Sequence, residues 1–285
     1  MRRTLASLLI ATTIAVASPV HAGAADWFRN RPASPYRLNF MLDGPLLLIA
    51  LPAWLGSYYA ENSLSPPTCG QPGNLCDVNQ VPWFDRHMMY TNTSLKTPAD
   101  YMFTWGPLIT AGVLFVDYGP YHVGSYLTDL TIALEGMAWS GTLTHIFRFA
   151  VRRPRPYLYF DGVYPGSRNS ADATMSFWSG HVSEWLGFGV ALAWTFTLRH
   201  GVRSPWTWVM WSAMLGAGTV SAVFRVASGD HFFSDVVAGA AVGTGIGLII
   251  PNLHSKRQTI AAKVLGAIRP MSGPGYGGLS LVGAL

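Results

Sequence analysis

Residues 206–224 read WTWVMWSAMLGAGTVSAVF, nineteen residues without a charge, which is the length and composition of a bilayer-spanning helix. Five further segments, roughly 41–60, 101–116, 126–150, 182–198 and 234–250, carry apolar residues at helical spacing. No alternating stretch is long enough to argue for a sheet, and the chain has no internal repeat. The expected fold class is therefore all-α, a helical bundle of about six apolar helices. The runs at 101–116 and 236–250 are short, and Asp129, Glu135 and Glu184 fall inside other candidates. Two settings fit: a membrane-embedded bundle, favoured by 206–224, or a soluble one whose apolar helices form a core. The small residues of 237–247 (VAGAAVGTGIG) suit close helix packing in either.

The N-terminus begins Met1-Arg2-Arg3, turns apolar from Leu5 to Val20 and reaches Val20-His21-Ala22. That order, basic then apolar then small, reads as a signal peptide over 1–22, with an uncleaved first anchor as the competing reading. Residues 23–255 form one expected domain, with a motif core at 145–240, and 256–285 is a basic, then Gly-rich tail. Cys69 and Cys76 flank CGQPGNLC, a spacing that suggests a local disulfide in an exported chain and two free thiols otherwise.

Three short patterns carry the chemistry. The first is Arg148-x6-Arg155-Pro156 inside RFAVRRPRP, the second Ser179-Gly180-His181, and the third Arg225-x5-His231-x3-Asp235. In the third, a histidine stands four residues before a carboxylate, one helical turn apart on the same face. A carboxylate there can hold one imidazole nitrogen and leave the other free. The arginines supply fixed charge for an anion. Taken singly each pattern has a plain alternative: a basic membrane flank, a helix start, or a metal-ligand pair.

In this order the three patterns resemble the signature of the type 2 phosphatidic acid phosphatase superfamily: Lys-x6-Arg-Pro, Pro-Ser-Gly-His, then Ser-Arg-x5-His-x3-Asp. That group includes lipid phosphatases, class A acid phosphatases and vanadium haloperoxidases. Arg148 stands where lysine is usual, Trp178 where proline is usual and Phe224 where serine is usual. The resemblance implies a helical bundle with its active site at one end, and phosphoester or diphosphate hydrolysis through a phosphohistidine. It implies that His231 is the nucleophile, that Asp235 orients it, and that His181 is the acid for the leaving oxygen and then the base for water. Arg148, Arg155 and Arg225 would clamp the phosphoryl oxygens, with Ser179 and the Gly180 N–H adding donors at a helix start. No metal or other cofactor is expected.

A phosphorylated lipid is the expected substrate class, with small phosphoesters, vanadate-dependent halide oxidation and a vestigial non-catalytic site as alternatives. Net charge of +5 agrees with an anionic partner, and no nucleic-acid module is legible. If all six segments cross, the motif loops and the cysteine loop share one face, while Arg199, Arg203 and the basic tail share the other. The expected location is thus a bacterial inner membrane with the site facing the periplasm, or the soluble periplasm. A cleaved signal with a full crossing by 41–60 inverts that orientation; Gly44, Pro45, Pro52 and Gly56 predict a broken, re-entrant or merely peripheral segment there. Arg153 is expected to line the site, and His145 to be a core histidine.

Overall fold

The computed structural model describes residues 30–38, 40–61, 63, 67–256, 268–273 and 276–281, so the expected signal peptide lies outside the described residues. Six long helices form where the apolar runs lie: α1 (Phe40–Glu61), α3 (Lys96–Tyr118), α4 (Val123–Val151), α5 (Gly180–His200), α6 (Pro205–Ala227) and α7 (Phe233–His254). One short helix, α2 (Trp83–Arg86), interrupts the long 61–95 connection. The bundle is all-α, as expected. To it the Gly-rich tail adds an antiparallel hairpin, β1 (Ile268–Gly273) with β2 (Tyr276–Leu281). Sequence periodicity missed the hairpin because its strands are short, although Pro274-Gly275 between them is a turn signal.

Helix α5 is the axis of the bundle, packed against α4, α6 and α7, and almost all of its side chains are buried. Its contact with α7 is set by glycine. A Cβ on Gly239 would lie 2.6 Å from the Ser179 carbonyl oxygen, and one on Gly243 would be closer still to that of Ser183. Only residues without a side chain let these two backbones approach so nearly.

The expected break in 41–60 does not occur, and α1 runs unbroken through Pro45 and Pro52. Tertiary contacts hold it: Ala50 is buried, and Thr142 Oγ1 on α4 donates to the Ala50 carbonyl at 2.9 Å. Neighbouring helices commonly compensate the backbone bond that proline removes.

Three helices, Thr93–Tyr118, Pro205–Ala227 and Phe233–His254, are long and apolar enough to cross a membrane. Their outer faces are apolar and open, with Trp105, Ile109 and Val113 on α3 and Trp206, Val209 and Val223 on α6 all exposed. A soluble protein rarely leaves such continuous surface uncovered, so this is a membrane protein's exterior.

Chain direction sorts the ends. The α1 C-terminus, α3 N-terminus, α4 C-terminus, α5 N-terminus, α6 C-terminus and α7 N-terminus meet at one end, with the 61–95, 152–179 and 228–232 connections. The opposite end holds the short turns at 119–122 and 201–204. There Arg37 N donates to the His254 carbonyl at 3.1 Å, so residues 30–38 run across the end of α7.

Candidate active site

All three sequence patterns arrive at the first of these ends. Arg148 lies in the last turn of α4, Arg155 in the loop beyond it, Gly180 and His181 at the start of α5, and Arg225 in the last turn of α6. Together they line a cavity of about 270 Å³. His231 lies in the loop between α6 and α7, fully buried beside it, with Nε2 3.4 Å from Arg155 NH1. The basic groups therefore converge on one space, as the patterns predict.

The local geometry of His231 differs from expectation. The helix begins only at Phe233, so His231 and Asp235 are not a turn apart on one helix face. Nδ1 of His231 bonds the Ser176 carbonyl at 2.7 Å, while Asp235 Oδ2 stands 3.9 Å away. The carboxylate is committed elsewhere: it accepts from Ser176 Oγ at 2.5 Å, Phe232 N at 2.9 Å and Arg153 NH1 at 2.6 Å. Asp235 thus fixes the residue whose carbonyl fixes the imidazole. Because that carbonyl accepts, the proton sits on Nδ1 and the Nε2 lone pair faces Arg155. Burial, then Arg155, Arg148 and Arg225, push the His231 imidazole well below its ordinary range, so it is neutral at neutral pH.

Arg153, expected in the site, does not line the cavity. It spans Asp85 at 2.7 Å and Asp235 at 2.6 Å and lies over the Phe232 ring, tying α2 to the α7 start. Ser179 does not line the cavity, and its Oγ has no hydrogen-bond partner among the described residues. It is fully buried under α7, and its N–H donates to the Asp235 carbonyl at 3.1 Å. Gly180 does line the cavity. Trp178 explains one departure from the usual pattern: its ring N–H donates to Thr144 Oγ1 at 2.6 Å and its carbonyl takes Arg148 Nε at 3.2 Å. The indole replaces a rigid turn residue by an anchor to α4. His145 is a buried core residue set edge-on against Tyr58 at 4.6 Å.

Sequence reading missed the acidic half of the cavity. Asp172 meets Arg155 at 2.5 Å, Asp100 pairs with Arg225 and lies 3.4 Å from His181 Nε2, and Asp230 lies 3.4 Å from Lys96. Glu61 and Glu184 line it as well. Burial alone raises the Asp172 carboxyl, but Arg155 and Arg148 outweigh it and hold the group down at about 2. Every guanidinium that an anion would use is thus already opposite a carboxylate or a carbonyl. The Asp172 and Asp100 side chains are 45% and 47% exposed, so neither is enclosed by the protein. The sequence carried one signal for them, Lys96 and Asp100 at i,i+4 ahead of a charge-free run.

The expected cysteine pair is joined, with Cα atoms 4.9 Å apart. Its loop packs at the same end: Cys76 N donates to the Leu158 carbonyl at 3.3 Å, and Arg168 donates to the carbonyls of Gly70 and Tyr157.

Two comparisons with known proteins give a match. Residues 129–259 match the model of the PAP2 superfamily. Among solved structures the chain is similar to a transmembrane PAP2 type phosphatidylglycerolphosphate phosphatase from Bacillus subtilis. The likeness has 16% identity, covers 73% of this chain and 93% of that one, and has a TM-score of 0.40. No curated protein matches the sequence.

Proposed function

We propose, from the match of residues 129–259 to the PAP2 superfamily model, that this chain is a phosphoric-ester hydrolase that dephosphorylates a membrane lipid through a phosphohistidine. The observation that carries the reading is the His231 Nε2 lone pair aimed at Arg155, on the wall of a cavity that His181, Arg148 and Arg225 also line. A phosphoryl group entering there displaces Asp172 and Asp100 and takes over their guanidinium partners.

Nε2 then attacks phosphorus, and the bond to the leaving oxygen breaks as His181 delivers a proton to it. The arginines hold the charge spread over the equatorial oxygens. As the ring becomes cationic, its Nδ1–H bond to Ser176 and the nearby Asp235 carboxylate stabilise it. In the second step His181 takes a proton from water, the hydroxide attacks phosphorus, and the P–N bond breaks to restore His231. Every group in this scheme comes from the chain itself.

Three spanning-length helices with apolar outer faces favour a lipid over a small soluble phosphoester. An apolar groove of about 760 Å³ between α6 and α7 adds support, since it reaches Phe233, two residues beyond His231. The disulfide loop lies at the site end and Arg199, Arg203 and Lys256 at the other, which favours a site facing the oxidising, non-cytoplasmic side.

The test is phosphate release by the purified protein from phosphatidic acid, phosphatidylglycerol phosphate, isoprenyl diphosphate and a soluble phosphoester, alongside His231→Ala. Release from the lipids, with an acid-labile phosphoprotein trapped in wild type only, supports the reading. Release from the soluble ester alone would sink the lipid assignment.

A further inference from the structure

At the end of the bundle away from the cavity, α1, α4 and α7 each contribute one buried titratable side chain to a common point: Asp43, Glu135 and His254. We propose that these three bind a divalent cation of the zinc type, a site separate from the phosphate cavity. From Asp235 to His254 the axis of α7 rises about 28 Å at 1.5 Å per residue.

The histidine is set as metal ligands are. Its Nδ1 bonds the Ile250 carbonyl at 2.8 Å, which places the proton there and turns the Nε2 lone pair toward the acids. Nε2 contacts Asp43 Oδ1 and lies 3.6 Å from Glu135 Oε2. A lone pair facing two carboxylates is repulsive unless a proton or a metal ion lies between them.

Glu135 points to the metal ion. It is wholly buried, its carboxylate faces His254, and neither of its oxygens has a hydrogen-bond partner among the described residues. A buried carboxylate without donors is costly, and so is an imidazole lone pair turned on it. A divalent cation satisfies both.

Distances suit it. The candidate ligand atoms all lie within 4.8 Å of one another. Tetrahedral ligands at about 2.1 Å from zinc stand about 3.4 Å apart, close to the His254–Glu135 separation, while the shorter His254–Asp43 contact has to open to admit the ion. One imidazole and two carboxylates match zinc or a neighbouring transition ion better than magnesium, which prefers an all-oxygen shell with water. Two of the described cations at this end are engaged otherwise: Lys256 with the Ser34 carbonyl at 2.8 Å, Arg199 with Asp117 at 2.5 Å. Residues 30–38 pass over the α7 terminus, so the ion would staple three helices beneath a closed end.

The experiment uses tag-free full-length protein in detergent, stripped with a chelator and dialysed against Zn²⁺, Co²⁺, Mn²⁺ or Mg²⁺. Metal per chain is measured after gel filtration, with the thermal midpoint. The expected result is about one equivalent of Zn²⁺, a midpoint raised by several degrees, and a visible d–d spectrum with Co²⁺. Glu135→Gln and His254→Gln should lose the equivalent, while His181→Ala should keep it. Failure of wild type to take up any of the four ions overturns the proposal without need of a variant. Uptake that survives in both folded variants, or vanishes in His181→Ala, overturns it too, since the ion then sits elsewhere.

Discussion

Each end of this bundle holds a buried histidine near carboxylates, and the two are built for opposite ligands. At the cavity end, His231 is surrounded by Arg148, Arg155 and Arg225, and the acids facing them, Asp172 and Asp100, are nearly half exposed. At the other end, His254 meets Asp43 and Glu135, and all three side chains are buried. Residue type alone does not distinguish them. What differs is the sign of the surplus charge and whether the acids can leave. Exchangeable carboxylates on fixed guanidiniums make room for an anion, whereas fixed carboxylates around a lone pair call for a cation.

The largest effect that follows is on chemistry at one end only. His231→Ala should lower phosphate release by at least about 10⁴-fold, because the covalent route is lost. Thermal stability and metal content should hardly move. Activity within tenfold of wild type would break the contrast by showing that the cavity histidine is not the nucleophile. His181→Ala is next, with a loss of about 10²–10⁴ in kcat, the usual worth of a general acid. Vanadate, which needs no leaving-group proton, should still bind this variant with an affinity near that of wild type. Loss of vanadate binding would instead make His181 a ligand for the anion.

Much of this contrast was open to sequence reading, but unevenly. All six long helices were legible because apolar periodicity persists over many turns. Their observed ends lie up to five residues further out, as at Lys96, where polar first-turn residues hide the start. The basic side of the cavity was legible because Arg148, Arg155, His181, Arg225 and His231 sit in three spaced patterns. Its acidic side was not, since Asp100, Asp172 and Glu61 each come singly from different elements and only packing unites them. The same holds for Asp43, Glu135 and His254, which lie 92 and 119 residues apart in turn. Asp85 is a sharper case. It is fully buried and receives Arg153, Ser234 N and Ser234 Oγ, yet it lies in a stretch without periodicity.

A smaller effect tests whether the cavity acids are exchangeable. Asp172→Asn removes the charge that competes with phosphate for Arg155. Its side chain is partly exposed, so the pair is worth less than a fully buried one and the gain should be modest. KM for an anionic substrate should fall by about 3–10-fold with kcat nearly unchanged. A rise in KM would mean that Asp172 holds Arg155 in its working position, and the carboxylates of the two ends would then be equally fixed.

The smallest effect concerns protons and turns on sign. His231 attacks only when Nε2 is unprotonated, so acid inactivates it. An ordinary histidine, near 6.5, would be half protonated at pH 6.5 and would already have cost half the rate there. Burial and three arginines disfavour the imidazolium, which moves protonation to lower pH and keeps the nucleophile neutral across that range. The acid limb of kcat/KM should therefore lie below pH 6.5, with less than about a twofold change between pH 7.5 and 6.5. Substrate phosphate also titrates near there, so two substrates of different phosphate ionisation are needed, and the limb common to both belongs to the enzyme. A shared limb at or above 6.5 would show that the surrounding positive charge does not govern His231. In Arg155→Gln one of those charges is gone, so the limb should shift upward, toward the ordinary value. That shift is diagnostic, because a merely structural role for Arg155 would lower the rate without moving the pH at which it falls.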